Sequence, residues 1–386
     1  MKLIKRNFND TNNSYFLFGP RGTGKSTWLK QTFPQAIYID FLNPETFRFI
    51  SAKPERLISI IEAAPEKETI IIDEVQKFPE ILDVVHLLIE KKKAKKDLKF
   101  ILTGSSSRKL KKQGIDLLSG RALVRKMHPF IASELANEFD LNHALKYGTL
   151  PLVHSSPNPQ STLNTYISLY IREEVFQEGL VRKAGPFSRF LETISFSQAS
   201  LINISNISRD SEVKRKTIYN YLDILYDLLI AYTIPVFSRK AKRNLITHPK
   251  FYFFDCGVYK AIRPTGVLEP EQPLTGISLE TLVAQHILAW IDYSNYQLKL
   301  FYWRTRTGTE VDFIIYGKEG FWAIEVKNTE KVRKSDLKSL KTFIQDYPQA
   351  SAIFLYRGDK KLLIDKIHCL PVQDFLLNLI PNKLIM

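Results

Sequence analysis

Short apolar runs alternate with longer amphipathic stretches through the first third of the chain. Residues 15–18, 36–40, 69–72 and 98–103 are brief, rich in β-branched and aromatic side chains, and read as buried strands. Residues 54–63 and 79–96 carry apolar positions at helical spacing, and a further helix is expected to start at Thr27. Strands alternating with helices predict a parallel sheet covered on both faces. From 129 to 183 the pattern is helical, with breaks at 147–151 and 155–159. Residues 201–254 read as a short helix around Ile204 and Ile207, a turn at 210–213, and a longer helix over 214–230. The longer helix carries Ile218, Leu222, Leu225 and Leu229 on one face; two strands follow at 231–237 and 250–254. Helix, turn, helix and hairpin form a winged-helix pattern. Near the end, 309–315 and 321–327 are strands with acidic residues inside them, joined by a turn through Gly317 and Gly320.

The link between the first strand and first helix is Gly19-Pro20-Arg21-Gly22-Thr23-Gly24-Lys25-Ser26, followed by Thr27. It matches the phosphate-loop spacing GxxxxGK[ST] in the strand-loop-helix context that the motif requires. Glycines let backbone N–H groups turn inward toward phosphates, and the helix N-terminus adds its positive end. Lys25 is expected to reach the β- and γ-phosphates of ATP, and the Ser26 hydroxyl to ligate Mg²⁺. Strand 69–72 runs into Asp73-Glu74. Asp73 is placed to hold Mg²⁺ through water, and Glu74 to polarise the attacking water. After the next strand come Thr103 and Ser105, and either would sense the γ-phosphate. Arg121 reads as a finger on a neighbouring subunit's ATP or as a structural surface arginine.

Asp312 lies in the strand at 309–315, and Glu325 and Lys327 in the strand at 321–327, on one face of it. Two carboxylates with a nearby lysine form the D…ExK pattern of metal-dependent phosphodiester cleavage, for Mg²⁺ or Mn²⁺. Glu280 in the helical stretch 278–290 is a third candidate ligand. The alternative is an ion pair between Glu325 and Lys327 in a non-catalytic fold.

Composition narrows the class. The 386 residues are 44% hydrophobic and 25% charged, ordinary for a globular protein. No apolar run is long enough to span a bilayer, and the first residues turn polar by Asn9 without a signal-peptide core. The two cysteines, Cys256 and Cys369, have no metal spacing, so a cytoplasmic location without a membrane partner is expected. The formal net charge of +15 points to a polyanionic partner, DNA being the natural one. Basic clusters stand at Lys91–Lys96, at Arg108, Lys109, Lys111 and Lys112, at Lys214, Arg215 and Lys216 beside Tyr219, and at Arg239, Lys240, Lys242 and Arg243. Trp303-Arg304-Thr305-Arg306 is a further phosphate-contact candidate.

These blocks together resemble a widespread prokaryotic family of AAA-type ATPases with a C-terminal domain of restriction-endonuclease-like, PD-(D/E)xK, fold. The resemblance rests on Gly19 to Ser26, Ile72-Asp73-Glu74, Leu102-Thr103-Gly104-Ser105, Ser119-Gly120-Arg121, Phe253-Phe254-Asp255-Cys256-Gly257, and the two C-terminal strands. The chain has Gly148-Thr149 where the family usually has two glycines, and Arg172-Glu173 where it usually has Arg-Asp. The resemblance implies an α/β architecture: a P-loop ATPase domain over 1–128, a helical lid over 129–190, a winged helix over 191–265 and a nuclease-like domain over 266–386. The resemblance does not supply a substrate; with the basic charge, the expectation is an ATP-hydrolysing, Mg²⁺-dependent homo-oligomer acting on DNA. The alternative is an ATP-controlled DNA-binding or assembly protein whose nuclease-like domain does not cut.

Overall fold

The computed structural model describes residues 4–91, 98–105, 120–171, 175, 184–239, 243, 245–264, 266 and 271–385. Lys92, Lys93, Lys95 and Lys96, the basic cluster at 108–112, Ser119, Arg172, Glu173, Lys240 and Lys242 lie outside the described residues. The chain divides into two compact units.

The first comprises Phe8–His128 with Asp227–Leu229. Its elements are β1 (Tyr15–Phe18), α1 (Lys25–Thr32), β2 (Ile37–Asp40), α2 (Pro44–Ala52), α3 (Arg56–Glu62), β3 (Thr69–Asp73), α4 (Ile81–Lys91), β4 (Lys99–Gly104) and β5 (Leu123–Lys126). All strand pairs are parallel, in the order β2-β3-β4-β1-β5. β1 is buried throughout, as are the apolar residues of β3 and β4, so these strands read as continuous apolar runs. Asn43 caps α2 by accepting from the N–H groups of Glu45 and Thr46, with Pro44 at the first helical position. Register places Phe18 beside Gly104, Leu17 beside Thr103, and Asp40 beside Asp73. The carboxyl ends of β1, β3 and β4 therefore share one edge, the edge at which open parallel sheets take their ligands.

The second unit comprises Met1–Asn7, Pro129–Tyr226 and Ile230–Met386. The segments expected as lid, winged helix and nuclease-like domain lie together in it. Helices Ile204–Ser211 and Arg215–Asp227 precede β7 (Ala231–Ile234) and β8 (Lys250–Phe253), which pair antiparallel, with β6 (Ser200–Leu201) on the other side of β8. A six-stranded mixed sheet has the order β13-β14-β12-β11-β10-β9. Its strands are β9 (Leu298–Arg304), β10 (Glu310–Gly317), β11 (Phe321–Val326), β12 (Ser351–Tyr356), β13 (Leu362–Ile364) and β14 (Ile367–Pro371). One core joins Phe130, Leu145, Ile234, Tyr252, Leu282, Trp290, Phe313 and Ile353, which come from every one of those segments.

The described residues of the basic link between β7 and β8 are anchored at Phe237 and Arg243. β7 ends before Pro235, which has no N–H to donate. Phe237 N–H then donates to Tyr302 at 2.7 Å, and Tyr302 N–H to Pro235 at 3.0 Å. Phe237 is buried against Trp303 and Phe343 on the other face of the large sheet. Arg243 pairs with Asp346 at 2.6 Å. Trp303 and Thr305 are buried and Arg304 pairs with Glu310 at 3.1 Å, so of that expected phosphate-contact stretch Arg306 is the exposed member.

Candidate nucleotide site and a buried carboxylate cluster

The loop after β1 curls back on its own lysine. Lys25 is 7% exposed, and its ammonium donates to the carbonyls of Gly19 at 2.6 Å and Pro20 at 3.3 Å. Thr23 Oγ1 donates to Pro20 at 2.8 Å. Gly22 and Gly24 have φ of 83° and 87°, the left-handed region that glycine adopts without a Cβ penalty. α1 opens on Gly24 with no side-chain cap and no acidic residue in its first turn. Such an N-terminus favours an anion. Ser26 is half-buried, and Arg21 and Thr27 are exposed.

Asp73, 2% exposed, ends β3. The Thr103 hydroxyl donates to one of its oxygens and the Tyr38 hydroxyl to the other, at 2.5 Å. Burial first, and then the bond to Asp73, push the Tyr38 hydroxyl well above the usual phenol range, while a bond to Ser26 opposes them. Glu74 takes a left-handed backbone, φ 60°, and its N–H donates to Thr103 Oγ1 at 3.2 Å. Its carboxylate accepts from Gln76 Nε2 at 2.5 Å, and the same amide reaches Ser105 Oγ at 3.3 Å. The Gln76 carbonyl oxygen is buried without a partner. Thr103 and Ser105 thus have separate attachments: Thr103 touches both acids, Ser105 touches the amide that holds Glu74. Tyr38 and Gln76 were not singled out from the sequence, because neither falls in a motif. Arg121 pairs with Glu90 of α4 at the surface.

The acids of the C-terminal strands form a second cluster. Asp312 is 6% exposed, Glu325 3%. Register Phe313↔Ile324 brings Asp312 beside the Glu325–Val326 peptide, and Val326 N–H donates to Asp312 Oδ2 at 2.8 Å. Lys327 Nζ lies 2.8 Å from Glu325 Oε1. Burial, reinforced by the Glu325 charge, pushes the Asp312 carboxyl well up. Burial also raises Glu325 to about 7 against the pull of Lys327. Lys327 itself is raised: burial works against its charge, but Glu325 and Asp312 outweigh that. Glu280 joins the cluster through Tyr252, whose hydroxyl donates to it at 2.6 Å, and through Lys250 Nζ at 3.0 Å.

Lys250 changes the expectation of a metal triad. Its ammonium also pairs with Glu310 and lies 3.8 Å from Asp312 Oδ1. Among the described residues no three His, Cys, Asp or Glu side chains gather as a metal site. Glu280 and Asp312 face Lys250 instead, and Glu325 pairs with Lys327.

A third arrangement explains other residues of the expected signature. Asp255 is fully buried and accepts from the N–H groups of Thr149, Gly257 and Val258 at 2.9–3.0 Å. Gly148 has φ 74°, and a Cβ there would collide with the Asp255 carboxylate; one on Gly257 would collide with Tyr147. Gln285 completes the clasp, donating to Thr149 Oγ1 at 2.9 Å and accepting from Cys256 N–H at 3.1 Å.

Residues 11–136 match the family model described as an AAA domain. That segment is AAA-type. Beyond the AAA domain, residues 138–269 and 275–375 match two domains of unknown function, DUF8612 and DUF4143. An uncharacterized protein of Mycobacterium tuberculosis is 24% identical over 369 residues, covering 93% of this chain and 80% of the relative. An uncharacterized protein of Methanocaldococcus jannaschii is 23% identical over 399 residues, covering 93% and 86%. Among solved structures, the Aeropyrum pernix ORC1 protein in complex with DNA aligns at TM-score 0.25 and 13% identity, over 66% of this chain and 87% of that one. AMPPCP-bound DnaA from Aquifex aeolicus aligns at TM-score 0.24 and 15% identity, over 55% and 81%. Scores that low carry no argument about this chain. No described helix is long and apolar enough to cross a membrane.

Proposed function

We propose that the AAA domain binds ATP at Gly19–Thr27 and hydrolyses it, and that the chain acts on DNA. The observation that carries the reading is the meeting of Lys25, Asp73, Glu74 and Thr103 at the carboxyl edge of one parallel sheet. Lys25 is buried with its charge on backbone carbonyls, and a β/γ-phosphate is a stronger partner for that ammonium. The Ser26 hydroxyl and the Asp73 carboxylate are the oxygens that would hold a Mg²⁺ ion, Asp73 through water because Thr103 and Tyr38 already donate to its two oxygens, and the ion would neutralise phosphate charge there. Glu74, held by Gln76 in this form, is the base that orients the attacking water once it swings off the amide. Thr103 keeps Asp73 and the Glu74 backbone in fixed relation. In a homo-oligomer the exposed Arg121 would serve a neighbour's ATP. Support for DNA comes from the net charge of +15 and from Lys214, Arg215, Lys216 and Tyr219, all exposed at the start of the second helix of the helix-turn-helix segment.

Glu74→Gln keeps the side chain's shape and removes the base. Binding of a fluorescent ATP analogue should persist while steady-state turnover falls about 100-fold or more. Turnover within a factor of two of the unaltered protein would remove Glu74 from the reaction.

A second reading applies to the C-terminal strands. The nuclease-like arrangement is a non-cleaving module, and the observation favouring it is Lys250 among the carboxylates.

A further inference from the structure

The carboxylate cluster has a cation built into it. Lys250 opens β8, is 2% exposed, and reaches acids on two other elements: Glu280 in the helix Glu271–Tyr293, and Glu310 and Asp312 in β10. We propose that Lys250 is the resident cation of this cluster, standing where a divalent metal would sit, and that the cleft is a charge-locked joint between β8, that helix and β10 which takes neither Mg²⁺ nor Mn²⁺. The inference deepens the non-cleaving reading of the C-terminal strands and is independent of the ATP reading.

Each acid already has a partner, although of their oxygens Glu325 Oε2 is buried without one. Glu280 accepts from Lys250 and Tyr252. Glu310 pairs with Lys250 and, at 3.1 Å, with Arg304. Asp312 accepts from Val326 N–H, and Glu325 pairs with Lys327. A divalent ion would have to pull two or more of these oxygens to about 2.0–2.6 Å. It would also place a second positive charge against a buried ammonium or expel that ammonium. Expulsion leaves an unpaired charge in a dry site, an outcome buried pairs resist strongly. Burial by itself would strip the proton from Lys250, but Glu280, Asp312 and Glu310 outweigh it and hold the charge in place. The placement also accounts for the position of the lysine. The three-stranded sheet meets the helix and the large sheet at the first residue of β8, so one ammonium satisfies acids from both.

The test uses the nucleotide-free full chain, so that no metal enters with ATP. Mn²⁺ uptake is followed by electron paramagnetic resonance in the unaltered protein, Asp312→Asn, Lys250→Met, and Lys250→Met with Asp312→Asn. The expected result is no uptake sensitive to Asp312→Asn in the unaltered protein below millimolar Mn²⁺. Lys250→Met should then gain about one Mn²⁺ per chain, lost again in the double variant. Submillimolar uptake by the unaltered protein that Asp312→Asn abolishes overturns the proposal. A folded Lys250→Met protein that takes no Mn²⁺ overturns the claim that the lysine excludes the metal. If Lys250→Met does not fold, the comparison of the unaltered protein with Asp312→Asn decides alone. ATP turnover measured on the same preparations reads the AAA domain separately, so loss of ATPase leaves this result standing.

Discussion

Replacing Glu325 by Gln should make the C-terminal unit's stability less sensitive to alkaline pH. Glu325 is 3% exposed, and burial lifts its carboxyl from 4.5 to about 7 in the fold. A carboxyl whose folded value is raised favours the fold while it is protonated. The contribution is complete below about 4.5 and is lost as pH rises through about 7. At about 1.4 kcal/mol per unit of difference, the loss between pH 5 and pH 8 is ~2–3 kcal/mol. Glutamine keeps the neutral shape and cannot ionise, so the variant escapes that loss. Asp312 shifts in the same sense, because removing the Glu325 charge eases its own ionisation. The assay is denaturant unfolding at pH 5, 6.5 and 8, followed by tryptophan fluorescence. Trp290, Trp303 and Trp322 all lie in the C-terminal unit and report on it. The free energy of Glu325→Gln minus that of the unaltered protein should rise by ~2–3 kcal/mol from pH 5 to pH 8. Parallel pH curves would refute the argument that Glu325 is desolvated. A difference that falls with pH would show that Lys327 holds the carboxylate charged.

Two further outcomes follow from other sites. Asp255→Ala removes a helix cap and leaves buried N–H groups of Thr149, Gly257 and Val258 without an acceptor, which should cost ~3–5 kcal/mol. Thermal unfolding should drop by about 10 °C, and Asp255→Asn, which keeps an acceptor, should lose less; equal losses would argue against the clasp. Arg215→Ala with Lys216→Ala should weaken DNA binding and lower the slope of log affinity against log salt by about 2, and an unchanged slope would take this helix out of the interface.

Much of the AAA domain was legible because its strands are buried on both faces. β1, β3 and β4 are apolar runs that end in polar residues, and the polar residues at those ends are Lys25's loop, Asp73-Glu74 and Thr103. β5 escaped notice because three of its four residues are exposed, leaving no apolar run and no alternation. α2 carried a usable signal in Asn43-Pro44-Glu45, a cap followed by a first-position proline, which periodicity alone passed over. Gln76 and Tyr38 touch Glu74 and Asp73 only because a turn and a neighbouring strand bring them there. Lys250 had no local signal at all. Its partners stand 30 to 62 residues downstream, and a lysine two residues from a histidine reads as surface.

The strand β8 shows why a strong sequence signature need not mark a reaction. Lys250 opens it and Asp255 follows its end, and both are buried charges with full sets of partners. Lys250 binds acids of the helix Glu271–Tyr293 and of β10, while Asp255 binds the turn at Tyr147–Thr149. Removing Asp255 leaves three buried N–H groups without an acceptor, and removing Lys250 takes the shared cation from three clustered acids, a penalty of several kcal/mol that packing alone cannot recover. The glycines at 148 and 257 belong to the same requirement, since each lets a backbone or carboxylate approach where a Cβ would collide. Residue types this constrained would stand out in any chain that shares the joint, whether or not the joint does chemistry. In this chain Ser26 and Glu74 are half-buried beside a helix N-terminus, with Lys25 buried next to them, whereas Lys250 and Asp255 are themselves sealed by the protein groups they bind. A reaction needs an opening for its substrate, so the half-buried Ser26 and Glu74 suit the proposed turnover, and the sealed Lys250 and Asp255 suit cohesion.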